Sequence, residues 1–161
     1  MSDNTILIGI DPGSTGAIAV YYPKQGVLVE KIDTETIGSL WEQVDSLIGD
    51  GWDGVARFCV IENVGQAHPG NAVGTATTFA RHCGRLEMAV LAAGIPFELV
   101  RPKKWMDDVV PDRPRGVKDK KARKRYIYEA MCCRFPDTKV FVYNSDALAI
   151  LAYLMDKKGV S

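Results

Sequence analysis

The chain has 161 residues, 47% of them hydrophobic, 25% charged and 9% aromatic, a composition that suits one globular domain with a substantial core and excludes a disordered or collagen-like chain. No apolar run reaches the roughly eighteen residues of a membrane span, and the N-terminus has no basic region followed by an apolar core, so a cytoplasmic protein is expected. Net charge is zero, which by itself points away from a nucleic-acid partner.

In chain order, three strand-like runs come first, at Thr5 to Asp11, Gly16 to Tyr22 and Gly26 to Asp33, separated by the turn compositions "PGST" and "PKQ". Connectors this short predict an antiparallel meander. The segment "SLWEQVDSLIGD" places Leu40, Val44, Leu47 and Ile48 on one helical stripe and ends near Gly49, predicting a crossover helix. It leads to "RFCVIEN", a continuous apolar run of the kind that forms a central strand covered on both faces. From Asn71 to Ala93 the pattern is helical and rich in small residues, with Gly94 placed as a C-terminal cap. "IPFELVR" reads as a fifth strand, Pro102 starts a short helix containing Trp105, and "VVPDRPRG" is a proline-rich loop. A basic stretch then runs into the amphipathic "YIYEAMCCRF", and "SDALAILAYLMDKK" predicts a last helix with Ser145 as N-cap and Asp146 in its first turn.

The cysteines Cys59, Cys83, Cys132 and Cys133 form no C-x-x-C pair and have no histidine at zinc-finger spacing, so buried thiols in a reducing compartment are expected. His82 and Cys83 are adjacent on a predicted helix and point in different directions, which argues against a shared metal site. His68 is read as a surface loop residue. The charge is unevenly spread: Arg101 to Arg125 holds eleven Lys or Arg against four Asp, a local +7, so the remaining 136 residues carry −7. A run such as "KDKKARKR" is commonly a solvated helix face, but a concentrated basic face on an otherwise acidic chain is also the footprint of phosphate binding.

Three carboxylates share one peculiarity. Asp11 and Glu62 each end an apolar strand, and Asp146 begins an apolar helix. Each has a structural alternative: Asp-Pro-Gly is good turn chemistry, Glu62 could cap a loop, and Asp146 could favour its helix through the N-terminal dipole. If the first and fourth strands are neighbours, however, both strand-end acids emerge together, and the last helix can bring the third. Carboxylates that close repel one another unless a cation neutralises them. An all-oxygen set suits Mg²⁺ or Mn²⁺, and two such ions about 4 Å apart are a common arrangement for attack of water on a phosphodiester.

The segments "IGIDPGSTGAIAV", "CVIENVGQAHPGNAVGTATTFARHCGRLEMAVLAAGIPFELVRPKKW" and "NSDALAILAYL" resemble, in order and spacing, the RuvC family of Holliday junction resolvases within the ribonuclease H-like superfamily, closest to its phage-type branch. The resemblance implies an α/β fold with a ribonuclease H-like five-stranded mixed sheet flanked by helices, as one nuclease domain over residues 1–161. It also implies a homodimer without a nucleotide cofactor, acting in the cytoplasm of a bacterial host if phage-encoded, that nicks two symmetric strands of a four-way DNA junction with Mg²⁺ or Mn²⁺. Carried over by position, Asp11, Glu62 and Asp146 match three metal-binding carboxylates of the family. The fourth falls at Tyr143, with Asn144, Asp137 or a water as substitutes. Lys104 falls where the family has a catalytic lysine, and Lys103, Lys104, Arg115, Lys118, Lys120, Lys121, Lys124 and Arg125 are the expected DNA contacts. The aromatic wedge that some members carry shortly after the strand glutamate is replaced by Gly65.

Three other readings compete. "GIDPGSTGAIAV" also resembles the phosphate loop of actin-like sugar kinases, but the chain is too short for their second half. A broader branch-specific or RNA-strand nuclease of the same fold would use the same carboxylates. A non-catalytic DNA-binding module is the third, given Tyr143.

Overall fold

The computed structural model describes residues 5–13, 15–49, 54–64 and 73–160. At its centre is strand β1 (Thr5–Asp11), whose residues from Thr5 to Ile10 are all buried. Hydrogen-bonded on one side is β2 (Ala17–Tyr22), antiparallel to β1 with Ile8 opposite Val20, followed by antiparallel β3 (Gly26–Lys31). On the other side lie β4 (Ala56–Glu62), parallel to β1 with Ile10 opposite Ile61, and β5 (Phe97–Val100), parallel to β4. The sheet order is β3-β2-β1-β4-β5, so the predicted meander and the mixed five-stranded sheet are both present.

Successive strand residues point to opposite faces, and this alternation builds two cores. Ile6, Ile8 and Ile10 of β1, with Cys59 and Ile61 of β4, pack with α1 (Ile37–Ile48) and the C-terminal half of α2 (Val73–Ala92). Leu7 and Val60 face the other way, into a core shared by α3 (Pro102–Val109), α4 (Lys120–Arg134) and α5 (Ser145–Lys158). Helix α5 is buried at every position from Ser145 to Met155, which explains its lack of a polar stripe.

The helix lies directly on β1. A Cβ added to Gly9 would clash with the Leu151 backbone nitrogen and stand 2.7 Å from Leu151 Cα and 2.8 Å from the Ala147 carbonyl oxygen. Gly16 is equally constrained at the turn after β1, where a Cβ would meet the Asp11 carbonyl oxygen and lie 2.7 Å from Gly13 N. Around this turn, Gly16 N donates to Gly13 O at 3.0 Å.

Several expectations need adjustment. The N-cap of α5 is Asn144, not Ser145, whose hydroxyl donates to Val142 O at 3.0 Å. In the N-terminal part of α2, Gly74, Ala80 and Gly84 are exposed and Ala76 is half-buried, whereas Leu86, Ala89 and Val90 carry the packing. All four cysteines are free, but only Cys59 is fully buried and Cys133 is exposed. The predicted start of α2 at Asn71, together with His68 and Gly65, lies outside the described residues. Among the described residues no helix is long and apolar enough to cross a membrane.

Gly9→Ala is expected to cost about 3 kcal/mol or more in urea denaturation, because helix backbone cannot retreat as a side chain can. Gly84→Ala, with nothing within 4 Å of the added carbon, should instead gain up to about 1 kcal/mol of helix propensity.

Candidate active site

The parallel register of β1 and β4 decides where the first two carboxylates go. Ile10 is opposite Ile61, so the next residues, Asp11 and Glu62, leave the sheet at the same end. Alternation turns both toward α5, on the face of Leu7, Gly9 and Val60. The contact at Gly9 holds the first turns of α5 on β1, which brings Asp146 to the same place. Asp11, Glu62 and Asp146 line one cleft of about 380 Å³, with Trp105, Lys120 and Lys124 on its walls.

Burial and mutual repulsion shape the acids. Asp11 is pushed up to about 6, chiefly by burial and then by the charge of Asp146, with Lys124 opposing. Glu62 is pushed up to about 7 by burial and by Asp11, while the indole N–H of Trp105, donating to Oε1 at 2.8 Å, holds it down. Lys124 makes an ion pair with Asp146 Oδ2. The other oxygen, Asp146 Oδ1, is buried with no hydrogen-bond partner.

An unpartnered buried carboxylate oxygen beside two acids raised chiefly by burial and further by repulsion is a site that favours a cation, and the all-oxygen donor set is that of a hard divalent ion. As they stand, no three acidic, thiol or imidazole groups among the described residues are gathered tightly enough to hold one. Two of the three acids have protein partners here: Lys124 pairs with Asp146, and Trp105 donates to Glu62. The residues fit a divalent ion in kind, with Lys124 occupying one oxygen of Asp146 and the other left unpartnered.

The other sequence-predicted residues are dispersed. Lys104 is not in the cleft: it pairs with Asp108 at 2.7 Å along α3, and its neighbour Lys103 pairs with Asp107. Arg125 pairs with Glu129 at 2.7 Å. Lys118, Lys120 and Lys121 are exposed around the short 3-10 turn Val117–Asp119 and the start of α4, and Arg115, also exposed, donates to Pro111 O at 2.9 Å. Lys124, expected among the outward DNA contacts, is inside the cleft. Neither proposed substitute for a fourth carboxylate is available: the Asn144 amide is committed to Phe141 N and Lys139 O, and Asp137 lines a separate groove near Arg134. Trp105 was missed as a site residue. Its signal was an isolated tryptophan in a short helix, since a buried indole N–H needs an acceptor.

No protein-family model and no curated protein sequence matches the chain. Among solved structures it is similar to Thermus thermophilus RuvC in complex with Holliday junction substrate, with a TM-score of 0.66 and 15% identity over 96% of both chains. A second Thermus thermophilus RuvC structure gives a TM-score of 0.62 at 15% identity, over 97% of this chain and 98% of that one. The fold is RuvC-like. At this identity the likeness concerns architecture, in which the β1 and β4 ends and the start of α5 meet at one edge.

The raised acids make stability depend on pH. Without metal, the folded chain binds more protons than the unfolded one between about pH 4 and 7, so stability falls as pH rises through that window. Glu62→Gln should flatten this fall by up to about 3 kcal/mol, read from urea denaturation in chelator at both ends of the window. Trp105→Phe should steepen it, because it removes the donor that favours ionised Glu62.

Proposed function

We propose that this chain is a metal-dependent, structure-selective endodeoxyribonuclease that resolves four-way DNA junctions by paired symmetric nicks. The observation that carries the reading is the convergence of Asp11, Glu62 and Asp146 in one cleft beside basic residues of α4. The RuvC-like fold, shared with a protein solved in complex with Holliday junction substrate, supports branched DNA as the partner. Placement in the phage-type branch rests on the quoted sequence segments alone. We read residues 1–161 as one nuclease domain acting in the cytoplasm as a homodimer, because two equivalent strands of a junction call for two symmetric sites.

Asp11, Glu62 and Asp146 would hold Mg²⁺ or Mn²⁺, with two ions in the complex with DNA. Bound there, the metal would polarise the scissile phosphate and supply a reactive water for in-line displacement. Trp105 keeps Glu62 Oε1 engaged and leaves Oε2 available. Lys124 compensates the charge of Asp146, and with a metal held there it would be able to face a phosphate instead. Lys120, which lines the cleft, and the exposed Lys118, Lys121 and Arg115 would track the backbone of the arms. Lys103, Lys104 and Arg125, each paired with an acid one helical turn away, would exchange that partner for a phosphate. On this reading Lys104 would contact DNA rather than take part in the chemistry.

A non-catalytic DNA-binding module is the second reading, favoured by Tyr143 and by the committed amide of Asn144. A general branch-specific or RNA-strand nuclease of the same fold is the third. Matched four-way, three-way, flap, duplex and RNA/DNA hybrid substrates, each in Mg²⁺ and in Mn²⁺, separate them. The resolvase reading expects symmetric nicks in the four-way substrate and a solution mass near twice 17.7 kDa. Equal cutting of flaps or hybrids by a monomer selects the general nuclease, and binding without cutting selects the module.

Asp146→Asn should lower the cleavage rate by about two to three orders of magnitude while junction binding persists, since it removes ligand charge at nearly constant volume. Neutralising Lys118, Lys120 and Lys121 together should reduce the slope of log K against log[salt] by about 0.9 for each phosphate that is no longer neutralised. An unchanged slope would make these lysines a solvated helix face only.

A further inference from the structure

We infer that the turn formed by residues 141–143 is a stacking platform for an unpaired nucleobase of the DNA strand lying in the carboxylate cleft, an inference that rests on the nuclease reading above. Phe141, Val142 and Tyr143 are 40%, 54% and 39% exposed, three consecutive large apolar side chains left in solvent. They do not stand out on a loose loop. Phe141 N donates to Asn144 Oδ1 at 2.8 Å, Asn144 N to Phe141 O at 3.2 Å, Asn144 Nδ2 to Lys139 O at 3.2 Å and Ser145 Oγ to Val142 O at 3.0 Å. Asn144 itself is 1% exposed, so the turn is anchored in the start of α5.

On that anchored turn the Phe141 and Tyr143 rings stack at 5.4 Å between centroids and 16° between planes, with Lys139 Nζ 5.2 Å from the Phe141 centroid. The turn lines a groove of about 550 Å³ together with Asp11, Thr15 and Lys124. These same three residues also line the carboxylate cleft, so cleft and groove are continuous. A chain seated across both would meet carboxylates suited to a metal and Lys120 in the cleft, Lys124 where cleft and groove join, and aromatic rings in the groove. That sequence of cations and rings matches a single nucleic-acid strand, whose charge is on phosphates and whose bases present flat faces. A preformed turn holds its rings in place before binding, so little order is lost when a base stacks. Tyr143 stands where the sequence resemblance places a carboxylate. The structure assigns that position to a ring instead, which also offers an aromatic surface where Gly65 supplies none.

The test uses the full chain in chelator and four-way junctions carrying a fluorescent purine analogue at successive positions around the exchange point, with abasic counterparts. Wild-type protein should change the emission at one or two positions only. Phe141→Ala and Tyr143→Ala should each weaken binding about ten-fold on the base-containing junction and far less on the abasic one, while Tyr143→Phe retains affinity and Tyr143→Leu does not. Circular dichroism should show all four variants folded, since both side chains are exposed. Wild-type affinity and emission in the doubly substituted Phe141→Ala, Tyr143→Ala chain would overturn the platform, as would an equal loss on base-containing and abasic junctions. Loss of dimer mass with unchanged affinity per dimer would overturn it in favour of a protein contact. If wild-type chain prefers no branched substrate, the resolvase reading fails separately. The same ten-fold losses on a single-stranded oligonucleotide would then still support the platform, and their absence would overturn it.

Discussion

The close approach of helix α5 to strand β1 at Gly9 is the constraint on which the site depends. Because helix backbone rests on strand backbone with no side chain between them, the start of α5 has almost no freedom to slide or lift. Asp146 is therefore located relative to Asp11 by main-chain contact, a stiffer linkage than packed side chains, which can change rotamer. The same contact explains why α5 is apolar on every side: it sits between the sheet and the helices α3 and α4 and has no solvent face until its last turn. There Lys157 and Lys158 meet the carbonyl end of the helix, and Gly159 closes it in the left-handed conformation at φ 67°.

This rigidity carries an electrostatic cost. Three carboxylates share a partly dry cleft, where their charges repel. Two kinds of relief act together. Asp11 and Glu62 take up protons more readily, and Lys124 places a positive charge on Asp146. Both are reversible, since a divalent cation would compete with the protons on two acids and with the ammonium on the third. Lys124 is thus an internal counter-ion whose partner, 22 residues away, sits at the start of α5. Trp105 acts differently, because its neutral N–H orients Glu62 without competing for charge.

Much of this was legible along the chain, for physical reasons that vary by residue. Strand ends at Asp11 and Glu62 could be read because apolar runs stop there, and short connectors implied the meander. The helical crossover to a central strand was legible too, but the pairing of β1 with β4 was only a condition of the reading until the structure showed it. What stayed hidden were contacts that no local period encodes. The Trp105 to Glu62 bond spans 43 residues, and Lys124 within "KDKKARKR" looks no different from its solvated neighbours. The N-cap of α5 was misplaced by one residue because Asn144 and Ser145 are both good caps, and only the preceding turn, which consumes the Asn144 side chain, distinguishes them. For α2 the composition was ambiguous, since small residues suit burial against a sheet or close approach of another chain, and the isolated chain leaves Gly74, Ala80 and Gly84 in the open.

The basic segment shows how far a linear charge count departs from the charge a polyanion meets. Its +7 is not one uniform face. Arg113 is buried, donating to Met106 O at 2.8 Å and to Asp107 at 2.7 Å, where it fastens the proline-rich loop to α3. Lys103, Lys104 and Arg125 each have an acid one helical turn away, and Lys124 serves the carboxylate cleft. Counterions condensed on DNA are released only by cations that reach phosphates, and a lysine already paired must first exchange one anion for another. Affinity should therefore depend less on salt than eleven cations would imply. On the proposed reading, the exposed Lys118, Lys120 and Lys121, at the start of α4, are the cations of this segment that would reach phosphates without first giving up an acidic partner.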